Sequence, residues 1–226
     1  MSTAARKAKA SPGVVVLRRV PFEVFDRLCQ EPANRHVRMT YFDGTLELMS
    51  PILFEHENWS EILGMIVRAL AIEHRLPCKG SGSATFRRAG EAVLKGSGKQ
   101  PDRSYYLANA PRFFGKKVID MSAGDPPPDL WIEVDHRGSS KGRLPIYAAL
   151  RVPEVWRFRV KNQALTFLGL TEDATYKPLE RSLSFPTLTP ALVREALALG
   201  SDGDESEWSL RLRGWAREKF EPRAGP

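Results

Sequence analysis

The sequence has little cysteine and no long run of apolar residues. Only Cys29 and Cys78 occur among its 226 residues, which excludes a small scaffold held together by several disulfides. We expect both to be reduced thiols in a cytoplasmic protein, with a single disulfide as the alternative. No apolar run approaches the roughly 18 residues that cross a bilayer. The polar, basic residues 1–9 have no apolar segment behind them, so we expect neither a membrane span nor a secretory signal.

Several signatures of common enzyme classes are also missing. The chain has no Walker phosphate-binding loop, no glycine fingerprint of a dinucleotide-binding domain and no Gly-x-Ser-x-Gly nucleophile motif. Its four histidines and two cysteines do not have the spacing of zinc ligands. These absences exclude the sequence-recognisable forms of nucleotide-dependent, serine-dependent and zinc-dependent catalysis.

The composition is that of an ordinary globular protein with an excess of basic residues. Hydrophobic residues make up 42% and charged residues 27% of the chain, which is long enough for one well-buried domain. The 34 Lys and Arg residues outnumber the 27 Asp and Glu residues, for a formal net charge of +7. This charge favours a polyanionic partner such as DNA. A solvated basic surface is the alternative, since the basic residues are spread along the chain.

Local patterns predict the organisation of the chain. Residues 1–13 are predicted to be a disordered basic tail, 14–200 a single domain and 201–226 a C-terminal helical extension. The clearest turn signal is Asp43-Gly44 between two alternating runs, which predicts a hairpin that pairs Phe42 with Thr45, Thr40 with Glu47 and Met39 with Leu48.

The remaining elements follow from hydrophobic periodicity. Residues 90–100, with three glycines, are predicted to be a loop. Helices are predicted over 21–30, 55–75, 143–150, 192–199 and 204–220, and strands over 37–42, 45–49, 78–88, 103–107, 130–134, 153–160 and 164–168. This order predicts an α/β fold with a central mixed β-sheet flanked by helices, in which the helix at 143–150 is a crossover.

Two carboxylates stand in apolar or aromatic surroundings. Asp102 precedes an aromatic run, and Glu133 is set within Leu130-Trp-Ile-Glu-Val-Asp135. Burying a carboxylate is costly unless it is paired, hydrogen-bonded or bound to metal. Strand alternation places Glu133 and Asp135 on the same face as Trp131. With Asp102 nearby, up to three carboxylates could hold a divalent metal; an exposed acidic face of an edge strand is the alternative.

Other residues compete for roles in the same site. Asp129 is a second Pro-Asp aspartate, but we expect it to cap a turn and face away from Glu133. Arg143 is predicted to face the sheet and to stabilise charge on a phosphate, with a helix-end salt bridge as the alternative and Lys141 as the rival cation. Glu47 could bind a metal or a water, and His56 could contact phosphate, carry a proton or simply cap the long helix.

Four segments between about Arg38 and Phe158 are specific in combination, although none is specific alone. They are Asp43-Gly-Thr-Leu-Glu47-Leu-Met-Ser-Pro51 followed by His56, Pro101-Asp102-Arg-Ser-Tyr105-Tyr106, Pro127-Pro128-Asp129-Leu-Trp-Ile-Glu133-Val, and Leu144-Pro-Ile-Tyr147-Ala-Ala-Leu-Arg-Val-Pro-Glu154-Val-Trp156-Arg. Together they resemble the restriction endonuclease family of the Uma type, within the PD-(D/E)XK superfamily.

The resemblance implies a restriction-endonuclease-like α/β core and metal-dependent hydrolysis of phosphodiester bonds. Asp102 and Glu133 match the family's acidic metal ligands, and Glu47 matches its early glutamate. The chain departs from the superfamily's Glu-x-Lys motif at the third position, which is Asp135. The family often has a helix lysine four residues before the tyrosine; here that residue is Arg143, which keeps the charge but cannot act as a general base.

We therefore expect an endonuclease that cuts DNA with Mg²⁺ or Mn²⁺. Asp102 and Glu133 would bind the metal with the Val134 carbonyl as a third ligand, while Asp135 and His56 are additional candidates. A homodimer is expected, because cutting both strands of a duplex often needs two active sites. The alternatives are a nuclease-fold protein that binds DNA or protein without cutting, and a metal-dependent hydrolase of another phosphoester.

Overall fold

The computed structural model describes residues 14–34, 37–49, 54–90, 92, 95–135 and 140–220. The predicted basic tail, residues 1–13, lies outside this part of the chain. In chain order the helices and strands are β1 (Val14–Arg18), α1 (Phe22–Gln30), β2 (Arg38–Phe42), β3 (Thr45–Met49), α2 (Phe54–Glu73), β4 (Lys79–Gly80), β5 (Phe86–Ala89), β6 (Gly96–Lys99), β7 (Arg103–Tyr106), β8 (Leu130–Asp135), α3 (Leu144–Ala149), β9 (Glu154–Arg159), β10 (Ala164–Leu170), β11 (Tyr176–Leu179), α4 (Pro190–Ala198) and α5 (Glu205–Lys219).

The strands in these ranges form two sheets. Sheet 1 has the order β1-β3-β2-β6-β5 and is antiparallel throughout. Sheet 2 has the order β11-β10-β9-β8-β7-β4. It is mixed, because β8 and β9 run parallel while every other pair of adjacent strands in the sheet is antiparallel. The predicted central mixed sheet is sheet 2, and the α/β class is confirmed.

Helices cover both faces of sheet 2. On one face the apolar side chains of Leu130, Ile132 and Val134 from β8 belong to one core cluster with residues of α2, α4 and α5. On the other face α3 and part of sheet 1 cover Trp131, whose ring lies 5.4 Å from the rings of both Phe86 and Tyr147. The strand β8 is therefore buried on both sides, as is usual for a strand with a parallel neighbour and a crossover helix.

The hairpin formed by β2 and β3 has the predicted register. Phe42 pairs with Thr45, and Thr40 pairs with Glu47. Asp43 and Gly44 both have positive φ angles, 42° and 81°, which is the requirement of the type I′ turn that suits a right-twisted hairpin. The turn thus places Glu47 across from Thr40, on a strand that lies between β1 and β2 in sheet 1.

The segment 90–100, which we predicted to be a loop, contains strand β6. Gly96 and Gly98 carry no side chain, and this absence is what lets the strand lie under α1. A Cβ added at Gly98 would collide with the ring of Phe25, and one at Gly96 with the ring of Phe22. Close approach of another element therefore overrides the low strand propensity of glycine.

Four further strands differ from the prediction. The strand predicted over 78–88 is divided, because a turn at 81–85 sends β4 to sheet 2 and β5 to sheet 1. The edge strands β1 and β11 were not predicted, since Val14–Arg18 and Tyr176–Leu179 are short and lack an alternating pattern. Edge strands bury little apolar surface, so they leave a weak pattern in the sequence.

The C-terminal helix α5 belongs to the same core as α2. Trp208 and Leu212 are fully buried there, and Trp215 nearly so. The boundary predicted at residue 201 stays a prediction, and the aromatic side chains of this helix are packed in the core. None of the described helices is long and apolar enough to cross a membrane. Cys29 and Cys78 are free thiols, as expected, and burial raises the pKa of Cys29 to about 11.

Candidate active site

The two predicted carboxylates, Asp102 and Glu133, lie side by side where β7 begins. In the antiparallel pairing of β7 with β8, Arg103 lies opposite Ile132, so one step further along the register places Asp102 opposite Glu133. Residues directly opposite on an antiparallel pair project to the same face with Cβ atoms about 5 Å apart. Both are buried, with 7% and 3% of their surfaces exposed. The alternative of an exposed acidic edge is therefore wrong.

Asp102 is held by three donors from three elements. The backbone N–H of Val134 donates to Oδ2 at 2.7 Å, a guanidinium nitrogen of Arg38 lies 2.9 Å from Oδ1, and His56 Nε2 lies 3.2 Å from Oδ2. Burial alone would raise the pKa of Asp102, but the hydrogen bond from His56 and the positive charge of Arg38 hold it well below its usual range. Asp102 is therefore an ionised, oriented carboxylate.

Glu133 is held in a different way. Its Oε1 lies 3.3 Å from the Nζ of Lys99, yet within the described part of the chain that oxygen makes no hydrogen bond of good geometry. The Tyr147 hydroxyl lies beside the same carboxylate without a well-formed hydrogen bond. Burial raises the pKa of Glu133, and the charge of Lys99 opposes that rise. Glu133 is thus a buried carboxylate with one unsatisfied oxygen.

Lys99 is a residue of this site that the sequence interpretation missed. It is only 1% exposed, and it comes from β6 of sheet 1, whereas Glu133 belongs to sheet 2. Its ammonium donates to the Gln100 carbonyl at 3.1 Å and lies 5.8 Å from the ring centroid of Tyr147. Burial lowers the pKa of Lys99, against the effect of Glu133. The one signal in the sequence is a lysine three residues before Asp102, which is too weak to interpret alone.

Arg143 reaches toward the hairpin of sheet 1. It directly precedes α3, and its guanidinium lies 3.6 Å from Glu47 Oε2 and 3.5 Å from the sulfur of Met49. Burial would lower the pKa of Arg143, but Glu133 and the other acidic neighbours raise it. About a third of both the Arg143 and the Glu47 side chain is exposed. This pair therefore lies at the open side of the site, where an incoming ligand could reach it. Lys141, the rival cation, is exposed.

Asp135 and Asp129 are both tied to neighbours of their own. Asp135 accepts a hydrogen bond from the Ser140 N–H at 2.7 Å and lies 2.6 Å from Arg157. Asp129 accepts from the backbone N–H groups of Leu107 and Asn109, and so caps that turn as expected. Among the described residues no group of three His, Cys, Asp or Glu side chains is arranged to hold a metal.

Residues 22–200 match the Uma2 family, which is described as "Putative restriction endonuclease". The chain belongs to the Uma2 family. The match covers most of the 226 residues, and it includes Asp102, Glu133, Glu47 and Arg143.

Similar proteins of known structure add less. The fold is similar to that of a "putative nuclease belonging to DUF820 from Anabaena variabilis ATCC 29413", at 14% identity and a TM-score of 0.43, over 79% of this chain and 90% of the other. No curated protein matches the present chain.

The oxygen atoms of this Uma2 site are of the chemical type that binds a hard divalent cation. Mg²⁺ and Mn²⁺ prefer carboxylate and carbonyl oxygens, and Asp102 and Glu133 supply such oxygens on adjacent strands. The Oε1 of Glu133 is a buried carboxylate oxygen without a hydrogen-bond partner among the described residues, and a buried polar atom without a partner is destabilising. Arg38 and Lys99 lie against these two carboxylates in the arrangement seen here.

Proposed function

We propose that this Uma2 protein is an endonuclease that hydrolyses phosphodiester bonds of DNA with Mg²⁺ or Mn²⁺. The observation that carries the proposal is the pair Asp102 and Glu133. They are two buried carboxylates that the pairing of β7 with β8 places opposite each other, and Glu133 Oε1 has no hydrogen-bond partner among the described residues. Family membership supports the reaction class. The basic character of the chain, +7, supports a polyanionic substrate.

Asp102 and Glu133 would hold the metal, with the Val134 carbonyl as a third ligand. When bound, such a metal lowers the pKa of a coordinated water and polarises the phosphate. Asp135 is the weaker candidate ligand, since Arg157 and Ser140 already engage it.

The protein's other groups have separate roles. His56 and Arg38 hold the Asp102 carboxylate ionised and fixed. Arg143, at the open side, would bind the scissile phosphate and stabilise its developing negative charge. Glu47 would orient Arg143 through their 3.6 Å contact or position a water. A homodimer in the cytoplasm remains the predicted working state.

The test is nicking of supercoiled plasmid DNA with Mg²⁺ or Mn²⁺. Wild type should nick, and chelator, Glu133→Gln and Asp102→Asn should each abolish nicking while circular dichroism shows a folded protein. Glu172→Gln, at an exposed glutamate of the β10–β11 turn, is the matched control and should nick like wild type. Nicking that persists in Glu133→Gln would show that another site or a contaminant cuts the DNA.

A second candidate function is a nuclease-fold protein that binds DNA without cutting it. The observation in its favour is that cations already balance both carboxylates, Arg38 at Asp102 and Lys99 at Glu133. Under this function wild type would shift the mobility of DNA in a gel without any nicking, and Glu133→Gln would leave the DNA affinity unchanged.

A further inference from the structure

Lys99 is buried at a place where packing alone does not require a lysine. An unbranched apolar side chain such as methionine could fill the same space without desolvating a charge, and desolvation of an ammonium is strongly unfavourable. The described contacts of the ammonium are the Glu133 carboxylate at 3.3 Å, the Gln100 carbonyl at 3.1 Å and the Tyr147 ring at 5.8 Å. The carboxylate is the one that carries an opposite charge.

The ammonium lies next to the oxygen that a metal would need. Glu133 Oε1 makes no well-formed hydrogen bond in the described part of the chain. Lys99 therefore compensates the negative charge of Glu133 without donating a well-formed hydrogen bond to this oxygen. A divalent cation at the same oxygen would feel the full repulsion of a fixed positive charge within a few ångströms, and burial leaves this repulsion poorly screened. The ammonium and a divalent cation at this oxygen would therefore compete for the negative charge of Glu133.

We propose that Lys99 is a built-in counter-ion that neutralises Glu133 in the metal-free protein and competes with the divalent metal for that carboxylate. Lys99 is thus a positioning residue that acts through Glu133 and sets the metal affinity of the site. The inference rests on the proposed function, because it requires a divalent cation at Asp102 and Glu133. It goes further in assigning an opposing role to a lysine from the other sheet.

Lys95 provides a matched control on the same segment. It precedes β6, and its side chain is 61% exposed and paired with Asp43, so Lys95→Met removes the same charge away from the site. Binding of Mn²⁺ to wild type, Lys99→Met and Lys95→Met is measured by isothermal titration calorimetry in the absence of DNA. Lys99→Met should bind Mn²⁺ at least about tenfold more tightly than wild type, and Lys95→Met should bind like wild type.

A purely structural lysine would produce a different result. Loss of packing would weaken metal binding or leave it unchanged, and either outcome in folded Lys99→Met would overturn the inference. If Lys99→Met is unfolded in chelator, Mn²⁺ should restore its circular dichroism spectrum, because the metal would neutralise Glu133 in place of lysine. Failure of Mn²⁺ to restore the fold would also overturn it.

The same titrations separate this inference from the proposed function. If wild type nicks DNA in a metal-dependent way and the affinity of Lys99→Met is unchanged, the competition is wrong and the nuclease stands. If none of the three proteins binds Mn²⁺, the metal-dependent function is wrong and the competition falls with it. Binding by Lys99→Met alone would support the competition strongly.

Discussion

Lys99 Nζ and Glu133 Oε1 lie 3.3 Å apart although their strands belong to different sheets. The contact crosses the junction at which Tyr147 and Trp131 also meet. Because each side chain is almost fully buried, neither charge can be balanced by water. The junction of the two sheets therefore depends on this ion pair as well as on apolar packing.

The pair should be strongly coupled in stability. Lys99→Met leaves Glu133 as an uncompensated buried charge, so in chelator it should lower the free energy of unfolding by about 3–5 kcal/mol. The double variant Lys99→Met with Glu133→Gln has no charge to compensate and should recover most of that loss. Urea unfolding followed by circular dichroism measures both. A double variant as unstable as Lys99→Met would show that the lysine is needed for packing and not for its charge.

The predictable part of the site is the part encoded locally. The hairpin register, which places Glu47, follows from the Asp43-Gly44 turn and the alternation around it. That Asp102 lies near Glu133 could be predicted, because Asp102 precedes one recognisable strand and Glu133 lies within another. Lys99 could not be predicted, because its segment contains Gly96 and Gly98 and has no strand pattern of its own.

Gly98 is the position at which the fold of β6 can be tested. A Cβ there would collide with the ring of Phe25 from α1, so Gly98→Ala should lower the free energy of unfolding by about 1–3 kcal/mol through overpacking. Gly214→Ala is the control, since a Cβ at this helical position meets nothing within 4 Å and should stabilise the helix by about 0.5–1 kcal/mol. Equal stability of Gly98→Ala and wild type in thermal unfolding would show that β6 and α1 are not in close contact.

Tertiary contacts account for the remaining differences between sequence and structure. Arg38 contacts Asp102, yet the two are far apart in sequence and no local pattern relates them. Asp135 shares the strand face of Glu133 as predicted, but Arg157 of the neighbouring parallel strand engages it. Pairings of this kind depend on the order of the strands in the sheet. Hydrophobic periodicity predicts each strand but does not predict which strands lie beside it.

The contact between His56 and Asp102 should make stability depend on pH. Burial favours neutral His56, but the hydrogen bond and the charge of Asp102 outweigh it and raise the pKa of His56 above its ordinary value. Its stabilising contribution is therefore complete below about pH 6.5, the ordinary value, and is lost as the pH rises through the folded-state pKa. In chelator, the stability advantage of wild type over His56→Gln in urea should shrink between about pH 6 and pH 9. An advantage that stays constant or grows with pH would contradict this ionisation of His56.

Arg143 and Glu47 face the open side of the site at 3.6 Å, so their role should be in catalysis more than in stability. Arg143→Ala should lower kcat for plasmid nicking by about 10²–10³-fold, the usual effect of removing a group that stabilises transition-state charge. Its free energy of unfolding should change by less than about 1 kcal/mol, because the pair is separated by 3.6 Å and is partly screened by solvent at the open side of the site. Arg143→Lys should recover only part of kcat, since an ammonium cannot bind phosphate at two points. Arg194→Ala, at an exposed arginine of α4, controls for the loss of one positive charge and should nick like wild type. If Arg143→Ala and Arg194→Ala weaken nicking equally, Arg143 contributes general attraction for DNA and does not act on the scissile phosphate.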